Sequence, residues 1–314
     1  MIYLIFTLPF LCKIKMDNTM EVCSKENGLY LRGLATLMIV LHHLCLSVNG
    51  SGILLHVGHL ASSIFFFLSG YGLMKKKDLN GFWKKRLSAV YVPFVVANAI
   101  FIFARVLSHE KISLFMVICW LFGFILIDSF KWFIIVLLLC YFLYYLCFKC
   151  MKQNQLIGMF LFLTGYLILC LKMHTLAYWY IPIYTFFVGM MFEKYEKIIM
   201  ENLNKYYMKW CVVFGGTFAF CMYRMIVYTT TPLEMFSTFV FLGCMILFCM
   251  KLRFTSKYLL YLGKISYSVY LMQHLPIAYF PRNNQVLYLI CCFISILILG
   301  ELLHLFLQKI KTKP

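Results

Sequence analysis

The chain has 314 residues, 63% of them hydrophobic and 13% charged, with 29 Lys and Arg against 11 Asp and Glu, a net charge of +18 and a mean hydropathy of +0.86. One soluble core of this length cannot bury so much apolar surface, which excludes a soluble globular protein and predicts an all-α integral membrane protein. The positive charge does not point to nucleic acid, because the basic residues sit in short runs between apolar spans and act there as topology signals and lipid contacts.

In chain order, Met1 to Cys12 is an apolar run followed by Lys13 and Lys15. A signal peptide carries its positive charge before the apolar core and a small-residue cleavage site after it, and neither is present. Residues 1–27 are therefore read as an N-terminal segment, either a short interfacial helix or a stretch ahead of a start at Met16 or Met20. Residues 28–314 are read as one membrane domain, without a Gly/Ser or Pro-rich linker, low-complexity tract or internal repeat.

The first span, near 29–48, carries Arg32 and, eleven positions later, His43. At about 100° and 1.5 Å per residue the two lie on one helix face some ~16 Å apart, while His42 points about 100° away. A fixed cation near one end of a membrane helix and a titratable base deeper in are a functional hypothesis by default. The plainer alternative is an arginine snorkelling to the headgroups and a histidine satisfied inside the bundle.

The second span, near 53–74, contains Phe66-Phe67-Leu68-Ser69-Gly70 and ends in Lys75-Lys76-Lys77, followed by Lys84-Lys85-Arg86 and Pro93. Such a cation cluster serves either as a lipid anchor or, with Arg32 opening on the same side, as a contact for a phosphorylated ligand. Further spans are expected near 90–107, 131–148, 156–172, 176–192, 208–228, 235–250, 258–280 and 286–307, giving about ten transmembrane helices.

The apolar stretch 112–127 is decided by charge. If it does not cross, all basic residues except Arg105, Lys111, Lys131, Lys172, Arg224 and Arg282 fall on the cytoplasmic side; if it crosses, that bias collapses. It is expected to be re-entrant or interfacial, with both termini cytoplasmic. The stretch Leu262-Gly263-Lys264-Ile265-Ser266-Tyr267-Ser268-Val269-Tyr270-Leu271 with His274 is too polar for a lipid-facing helix, so one stripe of it must face protein or water. Glu301 and His304, at i, i+3 on the last span, read as a buried structural pair. The 14 cysteines lie mostly inside apolar segments without metal-ligand spacing and read as small buried hydrophobes, so no metal is expected.

Taken in order, Arg32 with His43, the Phe66–Gly70 stretch, the basic segment running to Pro93, Trp132, Phe186-Phe187-Val188-Gly189-Met190 and the Leu262–Leu271 stretch with His274 resemble the acyltransferase 3 family, membrane O-acyltransferases of bacterial cell-surface saccharides. The likeness runs from about residue 28 to 307. It departs from the family pattern at Ala89, where a second arginine three positions after Arg86 is common.

The resemblance implies a membrane O-acyltransferase, acting as an O-acetyltransferase, that takes an acyl group from cytoplasmic acetyl-CoA (acyl-CoA) to a hydroxyl of a glycan or lipid-linked saccharide at the plasma membrane. Arg32, Lys85 and Arg86 would hold the donor's phosphates and His43 would be the general base, with an acyl-histidine relay as a variant. Ser69, Trp132, Tyr267 and His274 are expected to line the substrate pocket. A transporter or flippase is the rival from another class, but it calls for repeated halves and paired broken spans that are not evident. A non-catalytic membrane sensor is the other.

Overall fold

The computed structural model describes residues 14–16 and 22–312, with side chains to residue 310. The whole apolar run Met1 to Cys12, where an interfacial helix is expected, lies outside these residues, as does Met20. Ile14–Met16 (β1) pairs antiparallel with Leu252–Phe254 (β2), in register Ile14 with Phe254. The rest is helical: α1 Lys25–Ser47, α2 Val57–Lys76, α3 Phe82–Leu107, α4 Leu114–Phe122, α5 Trp132–Cys150, α6 Gln155–Lys172, α7 Tyr184–Lys205, α8 Tyr207–Val227, α9 Thr231–Lys251, α10 Lys257–Met272, α11 His274–Tyr279 and α12 Gln285–Thr312.

Eight of these, among the described residues, are long and apolar enough to cross a membrane: α1, α2, α3, α5, α6, α8, α9 and α12. The two remaining expected spans take another form. At 176–192 a 3-10 turn, Ala177–Trp179, precedes α7, which starts only at Tyr184 and has a non-helical residue at Tyr195 (φ −113°). From Glu193 onward that helix is rich in charge, so its apolar part is short. At 258–280 the helix breaks at Gln273 into α10 and α11, because Pro276 has no N–H to give to the preceding turn.

The chain divides into two compact units. The first holds residues up to Lys77 and Leu146–Lys264. Here α1 lies against α2, and α2 against α7 and α9. Ser24 caps α1 by accepting from Asn27 N at 3.2 Å. Asn49, in the left-handed region at φ +49°, ends that helix as Gly50 N donates to Cys45 O at 2.9 Å. Glycines decide how close the helices come. A Cβ on Gly70 would stand 2.0 Å from Phe186 O and one on Gly189 2.1 Å from Phe67 O, so α2 and α7 touch backbone to backbone. Gly33 and Gly263 do the same for α1 and the start of α10, where added Cβ atoms would meet Leu259 O at 2.1 Å and Leu29 O at 1.9 Å.

The second unit holds Asp78–Tyr145 and Ile265–Pro314. Its α3 widens into a π turn over Leu87–Tyr91 just before Pro93, whose missing N–H and ring leave no room for an ordinary turn. The Val90 carbonyl inside that turn accepts the Tyr267 hydroxyl at 2.7 Å.

The short α4, nine residues long, rises only roughly 14 Å and cannot cross. Ser113 caps it and Gly123, at φ +79°, ends it against the Phe94 ring. Tyr91 OH donates to Phe122 O at 3.0 Å, Asn98 Nδ2 to Trp120 O at 2.8 Å, and Arg105 Nη2 to Ile127 O at 3.4 Å. The segment therefore runs back along α3 to the level of Tyr91 and Phe94 and returns to that of Arg105. In the last helix, Gln308 Nε2 donates to His304 Nε2 at 2.8 Å, so that histidine pairs with Gln308 where Glu301 was the expected partner. Every cysteine among the described residues is free.

Candidate active site

In the first unit, Arg32 and His43 occupy one unbroken helix, α1. Arg32 is exposed near its N-terminal end and its carbonyl accepts the Thr36 hydroxyl at 2.8 Å. Toward the other end the environment closes, and His43 is buried at 9% exposure. Its ring lies beside that of His42, with centroids 5.3 Å apart. His42 is held separately: its Nδ1 is 2.9 Å from Leu54 O, so Nδ1 carries the proton and Nε2 keeps its lone pair. The His42 ring sits on Gly58, where a Cβ would come within 2.6 Å of it. Ser69 is half-buried on α2, one residue before the contact glycine Gly70.

Two further histidines and a carboxylate gather at this end of the unit, and sequence reasoning passed over them. His56 Nδ1 is 3.8 Å from Glu234 Oε1, with side-chain exposures of 14% and 20%. His59 Nε2 is 3.2 Å from Ser237 Oγ. Glu234 belongs to the first turn of α9. The available signal was His56 and His59 flanking the start of one span and a lone acid at the start of another, since ionisable groups at such positions are rarely idle.

The second unit places the other expected residues. Lys85 is exposed and paired with Asp78 at 2.8 Å. Arg86 lies over the rings of Phe82 and Tyr141, at 5.5 and 5.3 Å from their centroids. Trp132 opens α5, edge-on to Phe133. Tyr267 is bonded to Val90 O and Tyr270 to Phe130 O, so the polar stripe of α10 faces protein.

His274 Nδ1 meets Asp128 Oδ1 at 2.8 Å, and its ring lies 4.4 Å from that of Phe130. Burial raises the pKa of the Asp128 carboxyl, but the His274 hydrogen bond and charge, the Lys131 charge and the Phe130 N–H outweigh it and hold the pKa below the usual carboxylate value. Close by, Lys131 is 1% exposed, donates to Asn98 Oδ1 at 2.9 Å and covers the Phe101 ring at 3.6 Å. Asp128 and Asn98 had no part in the sequence reading, and Lys131 entered it only in the charge balance, because a single polar residue in or beside an apolar stretch gives no local sign of its distant partner. Among the described residues no group of three or more His, Cys, Asp or Glu is arranged to hold a metal ion.

The fold is that of a helical membrane protein, with eight helices long and apolar enough to cross a membrane among the described residues. The chain belongs to the acyltransferase 3 family, whose model, an acyltransferase domain, matches residues 30–305. It is an acyltransferase that transfers groups other than amino-acyl groups. No curated relative and no solved structure matches the chain.

Proposed function

We propose that this membrane acyltransferase is an acyl-CoA-dependent O-acetyltransferase that modifies a glycan or lipid-linked saccharide at the plasma membrane, with both termini in the cytoplasm. The observation that supports it best is α1 itself: one continuous helix with an exposed Arg32 near one end and a buried His43 eleven residues on. That separation, about 16 Å, matches a coenzyme A whose phosphates rest on Arg32 while its pantetheine arm lies along the helix. Lys85 and Arg86 are the further cations that the resemblance gives to the donor.

In this reading His43 accepts the proton of the acceptor hydroxyl as its oxygen attacks the thioester carbonyl. The tetrahedral intermediate collapses with loss of the coenzyme A thiolate, which takes the proton from His43 and leaves as the thiol. One ester bond is formed, one thioester bond is broken and the base is restored. Ser69, Trp132, Tyr267 and His274 are proposed as pocket residues; the Asp128 contact would fix the His274 ring and its tautomer, as a carboxylate does in catalytic triads.

The test is transfer of label from acetyl-CoA to deacylated surface polysaccharide by the purified protein. Transfer that disappears in His43→Ala while coenzyme A binding persists is the expected result; equal transfer by wild type and His43→Ala overturns the base assignment.

A further inference from the structure

We propose that His56, His59, Glu234 and Ser237 form the subsite that holds the acceptor's hydroxyl groups beside His43. The proposal rests on the reading of His43 as the base and adds to it the residues that recognise the acceptor.

Four features carry it, all within the first unit. The first is placement: the C-terminal end of α1, the start of α2 and the start of α9 come to one end, where His42 bridges the group to His43 through rings 5.3 Å apart. The second is unused bonding capacity. At 3.8 Å, His56 Nδ1 and Glu234 Oε1 are too far apart for a hydrogen bond, and His56 Nδ1 has no other hydrogen-bond partner among the described residues. A hydroxyl admitted beside the pair, at hydrogen-bond distance from each atom, would accept from the imidazole and donate to the carboxylate.

The third is a fixed tautomer. Ser237 Oγ gives its own proton to Glu234 O at 2.7 Å, so at 3.2 Å from His59 it accepts from Nε2–H. His59 Nδ1 is then a lone-pair acceptor for a further hydroxyl. The fourth is partial exposure: the His56 and Glu234 side chains keep 14% and 20% of their surface open, although His56 Nδ1 itself is covered, so an acceptor enters from the Glu234 side. Donors and acceptors mixed this way suit a polyol, whose hydroxyls are both at once. A phosphate or carboxylate would be repelled by Glu234, and no metal-holding group of three ligands is present among the described residues.

The test measures label transfer from acetyl-CoA while titrating surface polysaccharide taken from the source cells and deacylated with mild alkali. Glu234→Gln and His59→Leu are expected to raise the acceptor KM about tenfold or more, the size of a lost hydrogen bond to a charged or well-held group, with donor KM and coenzyme A binding unchanged. His59→Gln, whose amide can replace Nε2–H toward Ser237, should recover most of the loss. An unchanged acceptor KM in both variants, or equal rises in donor and acceptor KM, overturns the subsite. Wild-type protein that hydrolyses acetyl-CoA yet transfers nothing to this polysaccharide overturns the saccharide assignment. Loss of acetyl-CoA binding by wild type would instead strike the donor reading beneath it.

Discussion

At the scale of single residues, adjacent histidines on α1 are expected to differ sharply. His43 is buried on the Arg32 face, whereas His42 is turned to the Leu54 carbonyl. Removing a general base costs about 10² to 10⁴ in rate, so His43→Ala should nearly abolish acyl transfer while His42→Ala stays within about tenfold of wild type. Equal rates for the two variants would sink the assignment. Arg32 is proposed for a different role. Its loss in Arg32→Ala should weaken acetyl-CoA binding by about ten- to a hundred-fold, with Arg32→Lys recovering part, because a lysine keeps the charge but not the fork of donors. Isothermal titration with coenzyme A reads this directly, and unchanged affinity in Arg32→Ala refutes the phosphate contact. For Asp128 the pH sign is fixed by its lowered pKa. The His274 contact contributes stability above the unfolded value of 3.8, and that stability is lost as pH falls below it through the folded value. Thermal melts of wild type and Asp128→Asn should therefore differ at pH 7 and converge in strong acid; a gap that persists there would show that the carboxylate charge is irrelevant.

At the scale of elements, the glycines of three recognised motifs turn out to be packing devices. Gly70 and Gly189 bring α2 onto α7, and Gly33 and Gly263 bring α1 onto α10, each where a Cβ would fall about 2 Å from a carbonyl oxygen. Lipid tails are as apolar as side chains, so such helices associate through close contact and not through hydrophobic exclusion. Gly70→Ala or Gly189→Ala must push the helices apart and should destabilise by about 1–3 kcal/mol. Gly215→Ala and Gly216→Ala on α8, where nothing stands within 4 Å, should be neutral or stabilise by up to about 1 kcal/mol. Thermal unfolding in detergent compares the four, and matching losses in both pairs would remove the contact argument. The motif Phe66–Gly70 was legible as sequence, but not the reason for its glycine, since the partner helix lies more than a hundred residues away.

At the scale of the whole molecule, orientation is the open quantity with the plainest test. Cysteine-accessibility labelling in a background depleted of the native cysteines should find positions 77 and 205 cytoplasmic and positions 51 and 284 external. External labelling at 205 would invert the later half of the topology. The amino-acid sequence was sufficient for the membrane class, most of the spans and the family, because hydropathy and motif order are properties of contiguous residues. It was also sufficient to place Arg32 and His43 on one helix, since a single apolar run with a helical period needs no third element. Other features depended on contacts between distant parts of the chain. The gathering of His56, His59 and Glu234 beside His42 joins residues nearly 200 positions apart, and the Asp128 bond to His274 joins a loop to a helix break. No local period records such meetings. They exist because glycine contacts set how near the helices approach and because the ends of those helices, once packed, bring their polar groups together.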